Sequence, residues 1–151
     1  LTILEEFRAN AEVGTKFVTV KSMIDYEKTA ELLQKKDYVS GCRTLLRLHR
    51  GLDFTRDFLR KLSELNPEDK TSEACKVSYQ ETLAPYHTFL IRKGAGIAMA
   101  YGLPPRDELL SKVCKDVKSS IEALPEMLKY TDEVYNRIQV LYTSNDLLAL
   151  P

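Results

Sequence analysis

Apolar residues in this chain recur every three or four positions, and no stretch alternates long enough to read as a strand. The spacing predicts helices near residues 3–12, 20–35, 40–65, 71–101, 106–121 and 125–144. Breakers fall between them. Gly14 interrupts the start, Asn66-Pro67-Glu68-Asp69 is a turn, and Gly102-Leu103-Pro104-Pro105 is a strong stop. Pro125 is placed to open the last helix. Short connections imply that sequential helices pack antiparallel or cross closely. There is no internal repeat and no low-complexity tract. The reading is one all-α domain over residues 1–151. The chain opens abruptly inside an apolar, charged segment at residues 1–7, so its N-terminal part is expected to be incomplete.

Two of these helices carry two kinds of face. On a wheel of about 100° per residue, Leu45, Leu48, Leu52, Leu59 and Leu62 share one arc of the 40–65 segment, which reads as core. Arg43, Arg47 and Arg50 lie opposite, within roughly 60° of one another. Phe54 and Phe58 continue the same line, so this face begins cationic and ends aromatic. A solvated surface has no need of such a gradient, whereas a ligand with an anionic head and an apolar body does. Arginine presents a planar fork of donors that matches phosphate or carboxylate oxygens, and residues at i and i+4 point the same way. The competing reading is that these arginines pair with acids of a neighbouring helix, such as Glu27 or Glu31. Spacing alone leaves both open.

In the 71–101 segment, His87 shares a predicted stripe with Leu83, Ile91, Gly94, Ala98 and Tyr101. A lone histidine on an apolar stripe is more often a satisfied core residue than a ligand, and both readings stand at this level. Gly94, Ala95, Gly96, Ala98 and Ala100 crowd one stretch. Each glycine is unfavourable in a helix interior by about 1 kcal/mol relative to alanine. Such small residues permit either close helix approach or open space. A space beside the histidine would be a pocket with a polar mouth and an apolar interior.

Charge narrows the partner. The chain has 151 residues, with 22 basic and 22 acidic side chains and no net charge. Non-specific phosphate affinity needs a clear basic excess, so nucleic acid is not expected as a partner. Three widely spaced cysteines, Cys42, Cys75 and Cys114, form neither a disulfide framework nor a metal motif. They read as idle thiols of a reducing compartment. No signal peptide is visible, nor an apolar run of about 18 residues, so a cytoplasmic protein is expected. No nucleophile–base pair, carboxylate dyad, HExxH, GxSxG or phosphate loop is present. Cys42 and His49 are seven residues apart, and Arg92 to Gly96 ("RKGAG") lies mid-helix. Neither an enzyme, a cofactor nor a metal is expected.

Three long motifs then carry a resemblance: "SGCRTLLRLHRGLDFTRDFL", "LAPYHTFLIRKGAGIAMAYGLPPRDELL" and "VYNRIQVLYTSNDLLALP". They resemble the glycolipid transfer protein family, and within it most closely the members that carry ceramide-1-phosphate. "SMIDYEK" is similar to the family's third helix. The likeness runs from about residue 20 to 151. It implies a two-layer all-α sandwich enclosing an apolar lipid pocket, with no catalysis. Such a protein lifts one sphingolipid from a membrane and carries it to another, touching membranes transiently and probing them as a monomer. The implied headgroup residues are Arg43, Arg47 and His87. Members that carry glycosylated lipids have a tryptophan where Arg47 stands, and arginine there marks the phosphate branch. The apolar pocket is expected to include Phe54, Phe58, Leu83 and Ile91.

Departures from the family pattern also matter. Members use an aspartate and a lysine one turn apart on the second helix, for the ceramide amide and the headgroup. Glu12 and Lys16 have that spacing. Yet "GTKFV" equally matches the segment just before that motif, in which case the pair is absent. Asp25 and Lys28 align instead with the third helix. The family's tryptophan two residues after the histidine is replaced by Phe89. Two rival readings remain: the same fold carrying a glycolipid or another anionic sphingolipid, and a helical module whose arginine face binds acidic peptides.

Overall fold

A computed structural model describes residues 5, 6, 9, 10 and 12–151. Half of the helix predicted at 3–12 lies outside the described residues. The described residues are helical throughout, apart from loops and an isolated bridge between Lys70 and Pro105. After a 3-10 turn, Gly14–Phe17, come α1 (Val20–Thr29), α2 (Gly41–Glu64) and α3 (Thr71–Thr82). A second 3-10 turn, Ala84–Tyr86, precedes α4 (Phe89–Gly102), α5 (Arg106–Ser111) and α6 (Val117–Ser144). Among the described residues no helix is long and apolar enough to cross a membrane. Nor is any group of three His, Cys, Asp or Glu side chains placed to hold a metal ion.

Local chemistry explains where these boundaries differ from the predicted ones. Helix α1 opens on a capping box, in which Ser22 N donates to Thr19 Oγ1 at 3.0 Å and Thr19 N to Ser22 Oγ at 3.1 Å. It ends at Thr29 rather than 35 because the chain turns left-handed at Glu31 (φ 53°). Leu32 N then bonds to Glu27 O and Glu31 N to Lys28 O, which uses up the last carbonyls. The single helix predicted at 71–101 is split. Pro85 has no amide and its ring clashes with a helical carbonyl four residues back, so the chain tightens into the 3-10 turn and runs extended at His87 (φ −103°, ψ 145°). His87 is therefore not on a helical stripe with Leu83 and Ile91. The predicted 106–121 helix stops at Ser111, and α6 starts eight residues before Pro125. Asp116 opens it, accepting from Ser119 N at 3.2 Å and Ser119 Oγ at 2.8 Å. Pro125 then sits inside α6, next to buried Leu124.

The chain forms two compact units, one of residues 1–49 with 137–151 and one of residues 50–136. In the first, Phe17, Met23, Ile24, Cys42, Leu46, Tyr142, Leu147 and Leu150 make the core. Tyr142 Oη donates to Cys42 O at 2.8 Å inside it. The wheel placed Leu48 in the core, but Leu48 is exposed, and Cys42, Leu46 and His49 turn inward instead. There the His49 Nε2 lies 2.7 Å from Gln139 Oε1 and its ring stacks with Tyr142 at 6.4 Å between centroids. In the second unit Cys75, Tyr79 and Met99 are buried, with Phe54, Phe58 and Leu83 packed against them.

Candidate functional site

In the first unit the site begins with the way α2 starts. Its first three amides are all satisfied. Glu27 of α1 accepts from Gly41 N at 2.6 Å and Cys42 N at 3.1 Å, while Ser40 Oγ accepts from Arg43 N at 3.1 Å. Glu27 also accepts from Ser40 Oγ at 2.5 Å and Tyr38 Oη at 3.0 Å. The carboxylate is wholly buried, yet four donors and the positive end of α2 surround it. Burial first, and then the charge of Glu27, push the Tyr38 hydroxyl and the Cys42 thiol well above their usual ranges. Gly41 has no room for a side chain: a Cβ would come within 2.6 Å of Met23 Sδ and 3.0 Å of Phe17.

This start fixes the loop beside Arg43. The Arg43 Nη2 group donates to the carbonyls of Lys35, at 3.2 Å, and Tyr38. Its Nε and Nη1 hydrogens have no partner among the described residues. Arg47, one turn further on, is exposed and likewise has none. Neither arginine pairs with Glu27, which is spent on the helix start, or with Glu31. Further along α2 the arginines behave differently. Arg56 bonds Asp53 at 2.9 Å and Asp132 at 2.7 Å and stacks 3.7 Å over Tyr135. Arg60 bonds Asp132 at 3.2 Å. The Arg50 guanidinium stands 3.9 Å over the Tyr86 ring. Among the described residues, two cations one turn apart are thus left uncompensated on a helix whose other arginines have partners.

In the second unit the half-buried His87 imidazole meets Tyr79 of α3, with Nδ1 2.8 Å from Tyr79 Oη. The Tyr79 ring belongs to the apolar cluster with Phe54 and Phe58, which stack at 5.8 Å, and Leu83. Ile91 does not join them: it is 51% exposed on α4. Ala95 packs against the buried cluster, but Gly94 and Gly96 do not serve close packing, because a Cβ on either would meet nothing within 4 Å among the described residues. Beside Gly96 lies a cleft of about 390 Å³ lined by Tyr79, Pro85 and Met99 together with Lys76 and Arg92.

A sequence model of the family described as "Glycolipid transfer protein (GLTP)" matches residues 1–115. The chain belongs to the glycolipid transfer protein family. One relative in that family is a ceramide-1-phosphate transfer protein of Danio rerio, 40% identical over 156 residues, covering 100% of this chain and 73% of the relative. The crystal structure of mouse ceramide-1-phosphate transfer protein in its apo form superposes with a TM-score of 0.90 at 33% identity, covering 99% of this chain and 73% of that one. The human ceramide-1-phosphate transfer protein in complex with 12:0 ceramide-1-phosphate gives 0.87 at 31% identity, covering 99% and 74%. The glycolipid transfer protein fold is thus the fold of this chain, all-α as the apolar spacing predicts.

The family's acid–lysine pair has no helical counterpart at Glu12 and Lys16. Glu12 lies in a turn and Lys16 in the 3-10 segment Gly14–Phe17, both exposed, so they do not share an α-helical face. Glycine and the short spacing to Thr19 favour the tight turn there over an α-helix. Sequence reading missed Glu27 as the cap of α2 and Tyr79 as the partner of His87. Tyr79 carried one signal, a polar-tipped aromatic among buried positions. Glu27 carried none, since nothing in spacing says which of 22 acidic residues is buried.

Proposed function

We propose that this protein carries ceramide-1-phosphate, or a sphingolipid with the same phosphate head, between membranes without altering it. The observation that supports this most is the pair Arg43 and Arg47, one helical turn apart and with no carboxylate partner among the described residues, whereas Arg56 and Arg60 of the same helix are neutralised. Two such forks suit one doubly charged phosphate. In this reading His87 donates to an oxygen of the head or amide, and Phe54, Phe58 and Leu83 contribute to the apolar wall. The whole chain works as one lipid-carrying domain and a monomer, in the cytoplasm, with transient membrane contact. Phe89, Leu90 and Ile91, all exposed at the start of α4, are the residues proposed to touch the bilayer.

Magnitudes explain why the head decides. Each buried CH₂ is worth about 0.8 kcal/mol, so fourteen of them represent on the order of 11 kcal/mol. A bilayer and an apolar sleeve supply nearly the same amount, and the two cancel. Charge-assisted hydrogen bonds contribute roughly 1.5–3 kcal/mol each, enough to discriminate a phosphate from a sugar. The test is transfer between vesicles of ceramide-1-phosphate against galactosylceramide. Ceramide-1-phosphate is expected to move at least tenfold faster, on the order of one charge-assisted bond. Equal or faster movement of galactosylceramide would overturn the assignment in favour of a glycolipid carrier. Movement of neither would favour the acidic-peptide module.

A further inference from the structure

We propose that Tyr79 is a positioning residue for His87: its hydroxyl holds the imidazole in the tautomer with the proton on Nε2. His87 then acts toward a bound lipid as a hydrogen-bond donor only. The second half of this statement rests on the function proposed above; the first half does not.

The geometry carries it. Tyr79 is 8% exposed, and its Oη lies 2.8 Å from His87 Nδ1 with the ring centroids 5.6 Å apart. A buried phenol needs an acceptor for its proton. Among the described residues Nδ1 is the partner this hydroxyl has. Were Nδ1 protonated, it would donate to the phenol oxygen and leave the phenol proton without an acceptor among the described residues. The satisfied arrangement has Tyr79 Oη–H donating and Nδ1 accepting, which puts the ring proton on Nε2.

The backbone explains why such a hold is needed. His87 lies in the extended break between the Ala84–Tyr86 turn and α4. No helix rows it against neighbours, so its ring direction is free unless a side chain fixes it. Tyr79 is itself fixed, packed with Cys75 and Met99 and against Phe54, Phe58 and Leu83. One residue thus joins the apolar cluster to the polar group. A donor-only histidine favours a lipid that presents an oxygen acceptor, such as an amide carbonyl or a phosphate oxygen.

The test uses the full chain labelled with ¹⁵N-histidine, with long-range ¹H–¹⁵N spectra recorded where the ring is neutral. Wild type is expected to show His87 protonated at Nε2, and Tyr79→Phe to shift population toward Nδ1–H. In vesicle transfer of ceramide-1-phosphate, Tyr79→Phe is expected to lose on the order of tenfold, the worth of one buried hydrogen bond. The double variant Tyr79→Phe/His87→Ala should be no slower than His87→Ala alone, since one residue acts through the other. A wild-type proton on Nδ1, an unchanged tautomer in Tyr79→Phe, or additive losses would each overturn the proposal. The wild-type spectrum decides even if the phenylalanine variant folds poorly. Wild type that moves no ceramide-1-phosphate would sink the functional reading, and the spectra would still decide the Tyr79–His87 pairing.

Discussion

Glu27 of α1 accepts the amide of Gly41 at 2.6 Å, and with it α1 caps a helix that begins fourteen residues later. The same carboxylate holds Ser40, Cys42 and Tyr38, so one buried charge organises the loop whose carbonyls hold Arg43. Glu27→Ala strands several buried donors at once. It is expected to cost about 3 kcal/mol or more, a fall in melting temperature of at least roughly 6 °C for a chain of this size. Denaturation curves for it and for the exposed-site variant Glu64→Ala give the comparison. A loss no larger than that of Glu64→Ala would mean that the cap contributes little.

Arg47→Leu is expected to abolish transfer of a phosphate-headed lipid while changing stability by no more than about 0.5 kcal/mol, because Arg47 is exposed and has no partner among the described residues. Arg56→Leu should behave the opposite way. It leaves Asp53 without its cation and Asp132 with Arg60 alone, and is expected to lower stability while the headgroup preference persists. Transfer assays and melting curves on both variants check the contrast. Wild-type transfer by Arg47→Leu would remove it from the headgroup site.

Thiol reactivity should sort the three cysteines by burial. Burial raises the Cys75 thiol, and burial followed by the charge of Glu27 raises Cys42. A raised thiol is protonated at neutral pH, and the protonated form is a poor nucleophile. Cys114 is the half-exposed one. One equivalent of thiol reagent per native chain is expected at neutral pH, mapping to Cys114, and three after denaturation. Rapid native labelling of Cys42 would show that the Glu27 core opens readily.

Gly94→Ala and Gly96→Ala should each stabilise α4 by up to about 1 kcal/mol, since the added methyl meets no described atom. If the open side of α4 serves the lipid, transfer should fall even as the melting temperature rises. Unchanged transfer in both variants would show that the space is idle.

Much of this protein was legible in its order of residues. Apolar spacing alone determined that the chain is helical, since a 3.6-residue period cannot be satisfied by a strand. The alignment of Arg43 with Arg47 follows from helix geometry within one segment, so it too could be read without coordinates. Other features belong to the tertiary structure. The wheel made Leu48 core and left Cys42 and His49 outside it, because their burial depends on Tyr142 and Gln139 from the far end of the chain. Periodicity ran a helix through Pro85, and with it placed His87 on the wrong stripe; the proline's missing amide moved the histidine off the helix and onto Tyr79. Which acids would neutralise which arginines was likewise undecided, since charge pairing depends on distances of a few ångströms between segments distant in sequence. Spacing within one helix is set by local bonds and is written in the sequence. Burial, partner choice and the freedom of Arg47 are set by packing between helices, and only the folded chain decides them.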